Sequence, residues 1–258
     1  MKRRHRYMLF FPSALLLGAL FVWAMLDLVP FGHYRGPYGD VVNAITVYER
    51  HTTNVVTAVN FDYRAVDTMG EESILFMAVL GVTLLLRKQK DESSEEDKKA
   101  NDESSERRVP HSSDAVKAVT LGLVGPFVVF GLYVVLHGQV TPGGGFQGGV
   151  ILATAPLLVY VAGDLKTFKR ITSHELVEIS EALGIAGFVG VGFLGLAMQG
   201  TFLRNVFPLG QTGGVLSSGM IFALNICSAL AVSGGFVSAI YSFLEQTLET
   251  QLRGGKQR

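Results

Sequence analysis

The stretch from Tyr7 to Leu28, YMLFFPSALLLGALFVWAMLDL, holds a single charged residue, Asp27, at its far end. A helix needs about 20 apolar residues to cross roughly 30 Å of hydrocarbon, so this run is long enough to span a bilayer. Lys2, Arg3, Arg4 and Arg6 precede it, as basic residues precede a signal peptide. The run exceeds the roughly 7–15 residues of a signal h-region, and Met25-Leu26-Asp27 offers no small-residue cleavage site. It therefore reads as a retained membrane helix.

Working outward, the same pattern recurs in Met69–Leu86, Ala115–Leu136, Gly149–Ala162, Leu176–Met198 and Val215–Leu244. The expected fold class is all-α, a polytopic transmembrane bundle of about six spanning helices. Composition agrees: 48% of residues are hydrophobic, 30 are glycine, and the charges gather in a few short stretches. The formal net charge is zero, which gives no reason to expect a nucleic-acid partner. Cys227 is the single cysteine and lies in an apolar run, so neither a disulfide nor a cysteine-rich metal site forms within the chain. The histidines are scattered, with no pair at metal-binding helical spacing. No nucleophile–base pair and no cofactor fingerprint stands out. The expectation is no catalytic residue, no metal, no cofactor and no enzymatic chemistry.

Between the second and third apolar runs lies Arg87–Ser113, a charged stretch that includes Glu95-Glu96-Asp97-Lys98-Lys99 and no aromatic residue. Such a segment buries too little apolar surface to offset its ordering entropy and is expected to be a disordered linker. The chain then divides into a two-helix membrane module at 1–87, a charged cytoplasmic linker at 88–113 and a four-helix domain at 114–258. The positive-inside rule fits this layout. With the N-terminus in the cytoplasm, the cytoplasmic pieces hold Lys2, Arg3, Arg4, Arg6, the linker cations through Lys117, Lys166, Lys169, Arg170, Arg253, Lys256 and Arg258. The outer pieces hold only Arg35, Arg50, Arg64 and Arg204. Both termini are thus expected in the cytoplasm, in a multi-pass protein of the cell membrane.

One segment is not a lipid-facing span. Val41, Ile45, Tyr48, Val55 and Val59 share one helical face, with Glu49, Arg50, His51 and Asn54 between them. An amphipathic helix on the outer surface, or packed on a partner chain, is expected there.

Two stretches carry more than a generic membrane pattern. The first runs Phe61-Asp62-Tyr63-Arg64-Ala65-Val66-Asp67-Thr68-Met69-Gly70-Glu71-Glu72. Its apolar continuation, Ile74–Leu86, reaches only about 20 Å, so the helix either thins the membrane or begins below its surface with Glu71 and Glu72 in the first turn. An acid at that depth is costly unless paired or facing a polar cavity, and such residues mark ion paths. Arg64 and Asp67 stand within reach as partners. The same spacing also suits a capping box, with Thr68 as cap and Glu71 three residues on, and spacing alone does not separate the two uses.

The second stretch runs from His137-Gly138-Gln139-Val140 into Thr141-Pro142-Gly143-Gly144-Gly145-Phe146-Gln147-Gly148-Gly149. It lacks the Gly-Lys-Ser/Thr ending and the preceding strand of a phosphate loop. Its glycines suit either an ordinary hairpin loop outside the membrane or backbone buried in protein at membrane depth. Further along, Glu175, Glu178 and Glu181 after His174 read first as a solvated, dipole-favoured helix start and second as proton-transfer groups. Ala182, Ala186 and Gly190 make a small-residue face suited to helix packing. Asn225 is expected to make an interhelical hydrogen bond.

The nonapeptide Thr141–Gly149 resembles the hallmark of the MnhB-like family, the B subunit of Mrp-type Na+/H+ antiporters. The resemblance extends over roughly 115–245, through Pro208-Leu209-Gly210 and Leu224-Asn225. Phe61–Glu71 is similar to a motif near the C-terminus of the large A subunit of the same complexes, and to separately encoded pieces in membrane-bound hydrogenases. The resemblance implies a fusion of that small piece with a B subunit. It also implies an all-helical, non-catalytic subunit of a hetero-oligomeric cation/proton antiporter in the bilayer, with Na+ and H+ as transported ions. The alternatives it leaves are the antiporter-like membrane arm of a hydrogenase or related respiratory complex, and a purely structural scaffold. By the same resemblance, Glu71 and Asp67, with Arg64, Thr68 and Glu72 beside them, are the ion-path candidates. Thr141, Pro142, Phe146 and Gln147 match the second motif. The chain departs from the family pattern at Ala231, where a glutamate often stands six residues after the helix asparagine.

Overall fold

Long apolar stretches fold as helices because lipid leaves no other partner for backbone N–H and C=O groups. The computed structural model describes residues 3–26, 28, 32, 36–86, 112–162 and 165–255, and every regular element among them is helical. The helices are α1 (Arg3–Leu26), α2 (Pro37–Arg50), α3 (Val55–Ala58), α4 (Ala65–Leu86), α5 (Asp114–Leu136), α6 (Gly145–Val161), α7 (Leu165–Ile171), α8 (His174–Gln199) and α9 (Met220–Gly255). A π-helical turn, Val59–Tyr63, joins α3 to α4. Asp27, Arg35 and almost all of the charged segment 88–113 lie outside the described residues.

Four of these helices have the length and hydropathy of a membrane span: Ala65–Leu86, Asp114–Leu136, Glu175–Gln199 and Met220–Leu244. Two shorter apolar stretches, Phe10–Leu26 and Gly145–Val161, complete the six expected from sequence. At 1.5 Å per residue the shorter ones still reach about 25 Å. The protein is a multi-pass membrane protein. The chain divides after Val41 into two compact units. The first holds α1 and the start of α2, and α1 exposes its side chains from Phe10 to Leu26.

In the second unit α9 is the central helix, with α4, α6 and α8 packed on it and α5 packed on α6. Small residues set these contacts. A Cβ on Gly184 of α8 would meet the backbone of Cys227 and Ala231 in α9, and one on Gly149 of α6 would lie 3.0 Å from the carbonyl of Ala229. Helices of a membrane bundle gain from such close approach because lipid supplies no hydrophobic drive between them. One core cluster joins Ala58, Phe61 and Ala65 to Phe188, Leu203, Met220, Ile221 and Leu224. A smaller one joins Ala153, Val177 and Val237 near the other end.

Several sequence expectations change here. The single amphipathic helix is broken: α2 ends at Arg50, His51 takes a left-handed φ of 52°, and α3 restarts at Val55. Its expected apolar face is the exposed one at Val41 and Tyr48, while Val42 and Thr46 are buried. The helix expected from Met69 begins at Ala65, so Glu71 and Glu72 stand in its second turn rather than its first. Thr68 is inside α4 and donates to the carbonyl of Asn60 at 2.6 Å, which removes the capping box. The π turn is the cause, since it carries the chain into α4 without a cap. The small-residue face of α8 also differs: nothing lies within 4 Å of a Cβ on Gly190, and Ala182 and Ala186 are exposed. Gly184, Gly187 and Phe188 form the buried side instead.

This contrast yields a paired test. Gly184→Ala should lower stability by about 1–3 kcal/mol through overpacking against backbone. Gly190→Ala should not. Thermal unfolding of the two purified variants in detergent separates them, and equal behaviour would refute this packing.

Candidate functional site

The glycine-rich turn starts where α5 ends. His137 closes the helix, its N–H bonding the carbonyl of Tyr133 at 3.0 Å, and its ring stacks on Tyr133 at 4.3 Å. The backbone then turns through Gly138–Gly144 before α6 begins. Gly143 adopts a φ of 129°, a region L side chains rarely enter, so glycine is required there. This irregular backbone leaves carbonyls that a helix would have satisfied internally.

A short polar strip meets them. Asn54 Nδ2 donates to the carbonyls of Gly138 at 2.7 Å, Thr141 at 2.9 Å and Gly143 at 3.3 Å. Thr57 Oγ1 donates to Gly138 at 2.8 Å and Gly143 at 3.3 Å. Thr52 Oγ1 and the Asn54 backbone N–H both donate to the Gln139 carbonyl, and Thr53 Oγ1 donates to that of Val140. Asn54 also caps α3, its Oδ1 accepting from the Thr57 N–H at 3.3 Å. One asparagine thus starts a helix and holds a turn more than 80 positions away in sequence. Gly138, Gln139 and Gly144 of the turn are buried in protein.

The far side of the turn rests on α9. No side chain of the turn caps α6. Asn225 Oδ1 accepts from the Gly145 N–H at 2.7 Å, which is the interhelical bond expected of Asn225. A Cβ on Gly145 would strike the Asn225 carbonyl, while Gly148 packs against Val135 of α5. Phe146, Gln147 and Pro142 remain exposed. The nonapeptide therefore divides by role, with its buried glycines packing inward and Phe146 and Gln147 pointing out.

An open cleft of about 680 Å³ is lined by Arg50, Asp62, Tyr63, Arg64, Asp67 and Arg204 among others. Arg50 Nε donates to Asp62 Oδ1 at 2.7 Å, and its guanidinium lies 5.0 Å from the centre of the Tyr63 ring. Burial pushes the Asp62 carboxyl above the usual carboxylate range, and Arg50 offsets part of that rise. Arg64 pairs with Asp67 at the rim, where both are exposed. Three of the four arginines assigned to the outer side, Arg50, Arg64 and Arg204, thus meet at one cleft.

The structure does not gather the five ion-path candidates into one cluster. Arg64 and Asp67 line the cleft, and Thr68 is tied to Asn60. Glu71 lies on the exposed face of α4. Glu72 is 5% exposed and turns the other way, beside Cys227 and Ser228 of α9. Its Oε1 has no hydrogen-bond partner. Sequence reasoning grouped Glu181 with a solvated helix start. It is 7% exposed and packs over Gly234 and Gly235, whereas Glu175 and Glu178 are exposed. The Thr52–Thr57 strip was not singled out either. Its signal was available, because three hydroxyls and an amide within six residues cannot all serve an amphipathic surface helix.

Replacing Asn54 with alanine leaves several buried carbonyls short of donors, at a cost of about 1–3 kcal/mol. Asn225→Ala should expose the Gly145 amide to exchange. Hydrogen–deuterium exchange across 138–149 measures both, and protection unchanged in the two variants would contradict this clamp.

Residues 115–238 match the family model described as a domain related to the MnhB subunit of Na+/H+ antiporter. An uncharacterized protein of Methanocaldococcus jannaschii is 28% identical over 246 residues, spanning 86% of this chain and 88% of that protein. The B subunit of the Na+/H+ antiporter of Alkalihalophilus pseudofirmus is 30% identical over 144 residues, spanning 53% of this chain and 96% of that protein. Among solved structures, a chain of the membrane-bound sulfane sulfur reductase, an archaeal respiratory membrane complex, superposes with a TM-score of 0.68. It is 30% identical in sequence, with 93% of this chain and 98% of that one covered.

Proposed function

The chain belongs to the family related to the MnhB subunit of Na+/H+ antiporters, and from that premise we propose that it is a non-catalytic membrane component of a multi-subunit monovalent cation/proton antiporter. In this reading it helps hold the assembly together and contributes to the cation path. The observation that carries it is the clamp of Thr52–Thr57 on the glycine-rich turn. It fastens the segment that leads into the A-like stretch Phe61–Glu71 onto the turn that carries the B-like nonapeptide.

The proposed division of labour follows the chain. Residues 114–258 are the B-like domain, since the antiporter B protein is almost fully covered by about half of this chain. Residues 1–87 are a fused A-like piece, and 88–113 is the cytoplasmic linker between them. Both termini are placed in the cytoplasm, which puts the Arg50–Arg64–Arg204 cleft at the outer face. Arg64 and Asp67 then form the mouth of the ion path. Glu71, on the exposed face of α4, is a carboxylate that a neighbouring chain of the complex would cover.

A second reading has its own support. The extent of the likeness to the sulfane sulfur reductase chain favours a place in the membrane arm of a redox-driven complex.

An affinity tag after Arg258, gentle solubilisation and mass spectrometry of the co-purifying chains decide between them. Large antiporter-like chains with only small membrane partners are expected, whereas soluble metal-cofactor proteins in the same particle would establish the second reading. Recovery of this chain alone would sink both. Within the complex, Glu71→Gln should cut cation/proton exchange in vesicles by about tenfold or more while assembly on a native gel stays intact. Normal exchange at normal abundance would end that role for Glu71.

A further inference from the structure

The turn that follows α8 folds back onto it. A Cβ on Gly195 would lie 2.6 Å from the Arg204 carbonyl, and the Leu203 N–H bonds the Gly192 carbonyl at 3.2 Å. Leu203 is held at a φ of 58°, a left-handed region that L side chains rarely enter. Its side chain is buried in the core cluster with Ala65 and Phe188. On the other side, Asn205 Oδ1 accepts from the N–H of Phe207 at 3.1 Å and of Met220 at 2.9 Å. Arg204 stands between these two anchored residues, and its exposed side chain lines the arginine-rich cleft.

The other charges lining that cleft pair off. Asp62 is held by Arg50, and Asp67 by Arg64. Glu49, outside the lining, adds a looser contact to Arg50 at 3.8 Å. Arg204 makes no side-chain hydrogen bond or ion pair with any described residue, and neither does the Thr201 hydroxyl that lines the cleft with it. A guanidinium presents five N–H donors in a planar fork that matches a phosphate. A cation entering beside Arg204 would meet an uncompensated positive charge, whereas an anion removes it.

The cleft sits where two spans end. Arg64 directly precedes the span Ala65–Leu86, and Arg204 closely follows the span Glu175–Gln199. That is the level of lipid phosphates, where basic pockets between helices bind anionic headgroups. Part of the wall is apolar. Val66 is exposed in the first turn of α4, and the Phe202 ring meets Phe193 edge to face at 5.4 Å. Phe193 is itself exposed, within the span of α8. From the free guanidinium the surface therefore passes over Phe202 onto side chains that face lipid. The volume of about 680 Å³ is that of a ligand pocket, commonly about 300–1,000 Å³.

We propose that this cleft holds the phosphate headgroup of an anionic phospholipid, with Arg204 as its main ligand and an acyl chain descending past Phe202 and Phe193. Arg64 stands beside it with the N–H groups that Asp67 leaves unused. The occupant is amphipathic because the site is: a free phosphate uses the guanidinium and leaves the apolar wall bare. Lipid phosphates lie at both faces of a membrane, so the site rests neither on the orientation nor on the antiporter reading given above.

The test uses the particle isolated through a tag after Arg258, stripped of lipid in detergent and titrated with phosphatidylglycerol, phosphatidylcholine or inorganic phosphate. Native mass spectrometry counts the bound lipid, and thermal unfolding reports its effect. Phosphatidylglycerol should bind and raise the melting temperature, phosphatidylcholine should bind more weakly, and inorganic phosphate at the same concentration should do neither. Arg204→Gln should weaken phosphatidylglycerol binding about tenfold or more. Because Arg204 touches no other side chain, the melting temperature of the lipid-free variant should equal that of the wild type. Arg204→Lys should retain part of the affinity, since it keeps the charge and loses the fork. Photoreactive phosphatidylglycerol should label the peptide around position 204. Binding by Arg204→Gln equal to the wild type overturns the site. Inorganic phosphate as effective as phosphatidylglycerol makes it a free-anion site and overturns the lipid. Label found only on other helices or other chains means that another protein covers the cleft, and the proposal fails.

Discussion

The first amide of α6 has no partner within its own helix, and Asn225 of α9 supplies one at 2.7 Å. That bond requires the two backbones to approach until no side chain fits between them, which is why position 145 is glycine. The rest of the bundle follows from it. With α6 drawn onto α9, Gly149 meets Ala229 and Val232, and Gly148 on the opposite side accepts Val135 of α5. The helix that links α5 to the centre is thin on both faces because its first turn is glycine-rich.

The turn before α6 is costly for the same reason. Backbone that approaches so closely cannot be helical throughout, and its carbonyls need donors from elsewhere. They come from a segment that has its own irregularity. α2 stops at Arg50, His51 is left-handed, and α3 is a single turn capped by Asn54. The two irregular stretches satisfy each other, while His51 Nδ1 also bonds the Gly210 carbonyl at 2.6 Å and Ser218 Oγ the His51 carbonyl at 2.9 Å. Three connections that look like loops in one dimension form one hydrogen-bonded cap over the bundle.

The spanning helices were legible in the sequence because lipid imposes a length and a composition that few other structures share. Ala115–Leu136 and Leu176–Met198 were placed within one or two residues of α5 and α8. The start of α4 was missed by four residues, since a π turn enters it and leaves no capping pattern. Which of two adjacent glutamates faces inward was not legible at all. Glu71 and Glu72 differ by about 100° around the helix, and only the position of α9 decides between them. Glu181 was missed for a related reason. Its room is a glycine of another helix, and glycines at packing faces look no different in sequence from Gly190, which packs on nothing in this chain.

The place of α9 bears on how the protein is made. It is the last of the described helices in chain order, yet α4, α6 and α8 all close on it. During synthesis the earlier segments enter the membrane before their common partner exists. Until α9 arrives, Gly145 lacks its acceptor, and Glu72 and Glu181 lack the wall that buries them. Those carboxylates then remain open to solvent or to insertion machinery, while α5 and α6 already have each other to pack on.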